Sequence, residues 1–184
     1  IRFGKDRLAE LPNVLNQFGK NVLLVYGGGS IKRSGLYEKI KILLKENSLK
    51  MFELGGVDPN PKIESVREGV MLCKHHKIDV ILAVGGGSVI DCSKVISGAV
   101  FYEGGPTIPL VTILTLAATG TEMNRGAVIS DLNAKQKLGI HGTNFLPKVS
   151  FLDPSLTFSV SKYQTLAGSA DILSHLMEQY FNLT

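Results

Sequence analysis

The sequence holds little cysteine. Cys73 and Cys92 are the only two in 184 residues, and they are far from the close pairings that hold zinc. That excludes a disulfide-stapled scaffold and predicts two buried thiols in a reducing compartment. No apolar run approaches the ~18 residues of a membrane-spanning helix, and no stretch near Ile1 has the form of a signal peptide. Low-complexity tracts are absent. With 44% hydrophobic and 20% charged residues the chain is predicted to be globular. A basic arm is absent too. The net charge is +4, but the lysines and arginines are spread along the chain, which argues against a nucleic-acid partner. The expectation is a soluble, cytoplasmic protein. The G-x-G-x-x-G dinucleotide fingerprint is also missing.

What is present is an alternation of strands and helices. NVLLVYGGGS (Asn21 to Ser30) is a continuous apolar run ending in glycines, the pattern of a strand buried on both faces. A helix is predicted over residues ~32–47, with Leu36, Ile40, Leu43 and Leu44 on one face. LKMFEL (Leu49 to Leu54) predicts a strand. Asn60 is expected as the N-cap of the next helix, with Pro61 at its first position. DVILAVGGGSVIDCSKVISGAV repeats strand, glycines and helix. IPLVTILTLAATGTEMN adds a strand and a Thr/Gly-rich loop, GAVISDLNAKQKLGI a hairpin, and KVSFLDP one more strand. A helix begins near Lys162. The alternation predicts an α/β fold with a parallel sheet and right-handed crossovers.

Two segments echo each other: VLLVYGGGS at residues 22–30 and VILAVGGGS at residues 80–88. A buried strand that ends in glycines and opens a helix presents bare amides and a positive dipole end, which suits phosphate. Two such loops, both at carboxyl ends of strands, predict a nucleotide site. The first loop, Gly27, Gly28, Gly29 and Ser30, is followed by Lys32 and Arg33 and by no acid. Free ribose hydroxyls call for a carboxylate, whereas a 2′-phosphate calls for cations and donors. Lys32 and Arg33 therefore either read a 2′-phosphate or form a solvated first helical turn. The second loop, Gly85 to Ser88, is followed by Asp91, an acid that a pyrophosphate held by backbone amides tolerates.

Near the end, GSADILSHLMEQYF places Asp171 and His175 four residues apart, on one helix face, with Glu178 beyond. Leu166, Ala170, Leu173, Met177 and Tyr180 form an adjacent stripe expected to face a core. The Asp–His pair is either half of a metal site, or a surface ion pair or capped core histidine, since a metal site needs three or four ligands. The pair His75–His76 is expected to complement a helix C-terminal dipole, and His141 to be exposed.

Taken together, GGGSVIDCSK (Gly85 to Lys94), LTLAATGTEMN (Leu114 to Asn124), LPKVSFLDP (Leu146 to Pro154) and QTLAGSADILSHLMEQYF (Gln164 to Phe181) resemble the iron-containing, or group III, alcohol dehydrogenases. The similarity is closest to the NADPH-dependent butanol and aldehyde-reducing members. The resemblance implies a Rossmann-like cofactor domain of the dehydroquinate synthase/glycerol dehydrogenase type over residues 1–160. Residues 161–184 would then be the first helix of an all-helical domain. It implies hydride transfer between NADP(H) and a primary alcohol or aldehyde at Fe²⁺ or Zn²⁺, and a homo-oligomer, dimer or larger. Asp171 and His175 match two metal ligands. Gly86, Gly87 and Ser88 match the pyrophosphate loop, and Gly27 to Ser30 the loop at the adenosine ribose. Thr115 and Thr119 match a loop near the cofactor, with Leu116 where many members have Thr. Lys137 matches a lysine near the nicotinamide ribose.

There are departures. Gly105–Pro106 is an abrupt join where members have a longer connection, Ser161 replaces a usual Pro, and no histidine follows His175. The remaining ligands and the family's acid/base histidine would lie beyond Thr184. The competing expectations are a polyol dehydrogenase or dehydroquinate synthase-like enzyme of the same fold, and a non-enzymatic nucleotide-binding fragment.

Overall fold

The computed structural model describes residues 1–182; Leu183 and Thr184, the last of the expected helical segment 161–184, lie outside the described residues. Six parallel strands form one sheet: β1 (Arg2–Phe3), β2 (Asn21–Gly27), β3 (Lys50–Val57), β4 (Val80–Gly85), β5 (Leu110–Leu114) and, after a hairpin, β8 (Val149–Leu152). The hairpin pairs β6 (Gly126–Asp131) with β7 (Gln136–His141). Helices α1 (Leu11–Asn16), α2 (Ser30–Arg33), α3 (Leu36–Glu46), α4 (Ile63–His76), α5 (Gly87–Tyr102) and α6 (Lys162–Phe181) complete the chain.

The strand order is β1-β8-β5-β4-β2-β3. From β2 the chain moves outward to β3, then crosses back to place β4 on the other side of β2. The winding direction therefore switches between β2 and β4. In open parallel sheets the crevice outside the carboxyl ends at such a switch is the ligand site.

The central strands carry the two cores. Val22, Leu24 and Tyr26 point to one face, where Leu11 and Leu15 of α1 and Leu36, Ile40 and Leu44 of α3 cover them. Leu23 and Val25 point to the other, under Val66, Val70 and Cys73 of α4 and Ile90, Cys92 and Ile96 of α5. Both faces of β2 and β4 are thus buried, which explains why they read as unbroken apolar runs. The result is three layers, helix over sheet over helix.

Three expectations change. The helix predicted over ~32–47 is broken: α2 ends at Arg33, and Gly35, at φ 77°, restarts the chain as α3. Asn60 is not an N-cap. It sits in the left-handed region at φ 56°, and α4 starts at Ile63 with Lys62 at the cap. The stripe on α6 faces no core among the described residues. Leu166, Leu173, Met177 and Tyr180 are exposed, and Gly168 alone is buried there.

The abrupt Gly105–Pro106 join closes without a break as a helix terminator. Gly104, at φ 82°, ends α5 in the left-handed conformation. Its amide donates to Phe101 O at 3.0 Å and that of Gly105 to Val100 O at 2.9 Å. This is the Schellman pair of bonds, followed by the proline that stops the helix.

Candidate functional site

The echo in the sequence is an echo in space. Val22 pairs with Val80, and the register runs unbroken to Tyr26 with Val84, the same residues that align between the two segments. The two glycine loops therefore leave adjacent strands at the same level, at the switch point. Between them opens a cleft of about 490 Å³.

Gly27, Gly28, Ser30 and Arg33 line one side; Gly86, Gly87, Ser88 and Thr115 line the other. Val57, Pro59, Leu116, the stretch Ser159 to Ser161 and Gln164 close it. No carboxylate lines the cleft among the described residues, and Arg33 is its one charged residue there. Gly86 precedes the helix in extended conformation and Gly87 is its first residue, so the amide end of the 16-residue α5 faces the opening. The glycines are needed for closeness. A Cβ on Gly86 would lie 3.3 Å from Leu116 Cβ, and one on Gly87 3.3 Å from Thr119 Oγ1.

The remaining expected residues surround this cleft at different depths. Gly29, at φ 98°, forms the turn into α2. Lys32 is not among the lining residues. Its Nζ lies over the rings of Tyr26 and Tyr37, 5.0 and 4.9 Å from their centroids. The neighbouring Tyr26 hydroxyl holds its pKa above the ordinary lysine value. Both tyrosines donate to one carboxylate: Tyr26 to Glu53 Oε2 at 3.0 Å and Tyr37 to Glu53 Oε1 at 2.8 Å. Burial first, and Glu53 second, push the Tyr37 pKa up to about 12.

Asp91 does not line the cleft either. It accepts from the Thr121 hydroxyl and, at 2.9 Å, from the Val128 amide, so it ties α5 to the loop and hairpin that follow. Lys137, on the hairpin, donates to Asn60 Oδ1 at 2.9 Å, and the Asn60 amide lies 3.3 Å from Ser88 Oγ. Lys137 thus reaches the second loop through Asn60. That use of Asn60, in a conformation asparagine tolerates better than most residues, is why it does not cap α4.

Sequence reasoning passed over Lys94. Its side chain is completely buried, and Nζ donates to Thr121 Oγ1 (2.8 Å), Asn124 O (2.9 Å), Asn124 Oδ1 (3.0 Å) and Gly126 O (2.7 Å). Loss of hydration pulls its pKa down from 10.5 to about 8, against the charges of Asp91 and Glu122. Its position three residues past Asp91, as the one basic residue of α5, was the signal. The cysteines are what the sequence implied: both buried, with burial pushing their thiols up to about 12. They are no nucleophiles at neutral pH. His76 stacks on Phe52 with centroids 4.1 Å apart, in the last turn of α4.

Asp171 and His175 share one face of α6, with Asp171 Oδ1 3.9 Å from His175 Nε2 and Glu178 Oε2 3.8 Å from Nδ1. Both are half-exposed. A carboxylate and an imidazole are donors that suit iron or zinc, and this pair fits part of a ligand shell. Among the described residues no group of three or more such donors converges.

The comparisons with known proteins give the family. Residues 1–154 match the family described as iron-containing alcohol dehydrogenase. The chain belongs to that family. It is 46% identical to NADH-dependent butanol dehydrogenase A of Clostridium acetobutylicum, over 99% of this chain and 50% of the relative. To the NADPH-dependent aldehyde reductase YqhD of Escherichia coli it is 36% identical, over 98% and 50%. The crystal structure of NADH-dependent butanol dehydrogenase A from Thermotoga maritima superposes with a TM-score of 0.93 at 38% identity, covering 98% of this chain and 48% of that one. The chain spans about half the length of these relatives. No helix among the described residues is long and apolar enough to cross a membrane.

Proposed function

We propose that the cleft binds NADP(H), and that the protein transfers hydride between it and a primary alcohol or aldehyde of the butanol type at a divalent metal. The observation that carries this is the pair of in-register glycine loops opening on a cleft with a cation and no carboxylate on its described walls. In this reading the amides of Gly86, Gly87 and Ser88, at the head of α5, hold the pyrophosphate. Gly27 to Ser30 meet the adenosine ribose. Thr115 and Thr119 flank the nicotinamide side, Lys137 serves the nicotinamide ribose, and Asp91 braces the second loop from behind.

Relatives named for NADH and for NADPH are both similar to the chain, so the choice of cofactor rests on the cleft. The chemistry at its first loop favours a phosphate over free hydroxyls, which would seek an acceptor.

Residues 1–160 act as the cofactor domain, and α6 begins a helical one. Asp171 and His175 would hold the metal, Fe²⁺ or Zn²⁺, with donors from elsewhere in the protein. When bound, such an ion polarises the alcohol or carbonyl oxygen. The chain's own residues orient the nicotinamide and keep its pyrophosphate fixed while the cofactor carries the hydride. The test is butyraldehyde-dependent oxidation of NADPH by the full protein reconstituted with Fe²⁺ or Zn²⁺. Turnover that is lost in Gly87→Val supports the reading; turnover indifferent to that change contradicts it.

A further inference from the structure

Two adjacent cations follow the first glycine loop, and the structure gives them different surroundings. Resting on the cofactor reading above, we infer that Arg33 alone reads the 2′-phosphate, while Lys32 is a positioning residue that pins α2 to the sheet.

Lys32 is committed. Its ammonium sits over two aromatic faces at 5.0 and 4.9 Å, a favourable cation–π arrangement. The rings cannot swing away, because one carboxylate, Glu53, accepts from both hydroxyls. Drawing Lys32 into the cleft would give up both rings at once. As the third of the four residues of α2 it instead fastens that short helix to β2 and α3.

Arg33 is uncommitted. It lines the cleft beside Gly27, Gly28 and Ser30. Its Nη1 lies 3.7 Å from where a Cβ on Gly29 would stand, so the guanidinium folds back over the loop. No ion pair or side-chain hydrogen bond engages its guanidinium among the described residues.

The backbone offers little help at this point. α2 has four residues, too few to build a useful dipole, so charge for a phosphate must come from a side chain. A guanidinium presents a planar fork that matches phosphate oxygens in pairs. The Ser30 hydroxyl on the same wall supplies a further donor. An unmodified ribose would find here no carboxylate to accept from its hydroxyls.

The experiment is a fluorescence titration of the full protein with NADPH and with NADH, for wild type, Arg33→Ala, Arg33→Lys and Lys32→Met. Adenosine 2′,5′-bisphosphate competes as a probe without nicotinamide. Arg33→Ala should weaken NADPH and the bisphosphate by roughly ten- to a hundred-fold, the range of a charge-assisted phosphate contact. NADH should change by less than about twofold. Arg33→Lys should restore part of the loss. Lys32→Met should weaken both cofactors by the same factor and leave their ratio intact. Arg33 is exposed, so its variants should unfold at the wild-type temperature. Equal losses for both cofactors in Arg33→Ala, or a ratio that collapses in Lys32→Met, would overturn the split while leaving the cofactor cleft standing. Wild-type protein that binds neither cofactor would overturn the cleft assignment and the split together.

Discussion

Gly87 and Thr119 meet across the second glycine loop, so closely that a methyl group on Gly87 would lie 3.3 Å from the Thr119 hydroxyl oxygen. Thr119 is exposed and can yield, so Gly87→Ala should cost the fold less than about 1 kcal/mol. The same methyl would also crowd the cleft wall that Gly87 lines, the wall proposed to hold the pyrophosphate. Affinity for NADPH should fall by about tenfold or more. Paired thermal unfolding and cofactor titration check both halves.

Lys94 should matter for stability far more than a lysine usually does. Replacing it with Met leaves the Thr121, Asn124 and Gly126 oxygens without their shared donor. A loss of about 2–4 kcal/mol in urea unfolding is the expected outcome. The sign of the pH effect follows from its pKa of about 8 in the fold against 10.5 when hydrated. Between those values the unfolded chain binds the extra proton, so this group's contribution to stability rises with pH. Wild type should show that rise between about pH 8 and 10.5, and Lys94→Met should lack it.

Gly55→Ala tests the aromatic latch under the first loop. Its Cβ would come 2.6 Å from Tyr26 Cζ, and a buried ring held by Glu53 has little room to move. Overpacking of about 1–3 kcal/mol is expected, together with weaker binding of NADPH and NADH alike, read by unfolding and titration.

The proposed metal pair, Asp171 and His175, has its own readout. In the full protein loaded with zinc, Asp171→Ala and His175→Ala should each reduce retained metal after dialysis, by roughly tenfold or more in affinity. Cofactor affinity should be unchanged, because neither residue lines the cleft. Metal content measured by atomic absorption decides it.

Much of this was legible in the sequence because the central strands are buried on both faces. Val22 to Tyr26 and Val80 to Val84 have no polar face to interrupt the run, so the strands, the glycine loops and their echo stood out together. The sequence could not show that the echo is also the pairing register, which depends on β4 inserting beside β2. The break before α3 was missed because Leu36, Ile40 and Leu44 supply a helical face. That face reveals nothing about the turn at Gly35. Lys94 was missed because lysine at helical spacing reads as a solvated residue, and its four acceptors come from a loop some thirty positions away. The α6 stripe has helical spacing whether or not anything covers it, so periodicity alone could not tell a packed face from the exposed one seen.

The most direct test is to map the bound cofactor onto the backbone. Titrating NADPH into ¹⁵N-labelled full protein should shift the amide signals of Gly27, Gly28, Gly86, Gly87 and Ser88 most, with the Arg33 Nε signal moving alongside. Shifts confined to a separate hollow around Phe3, Leu114 and Leu152, or no shifts at all, would contradict the assignment of the two glycine loops to the cofactor.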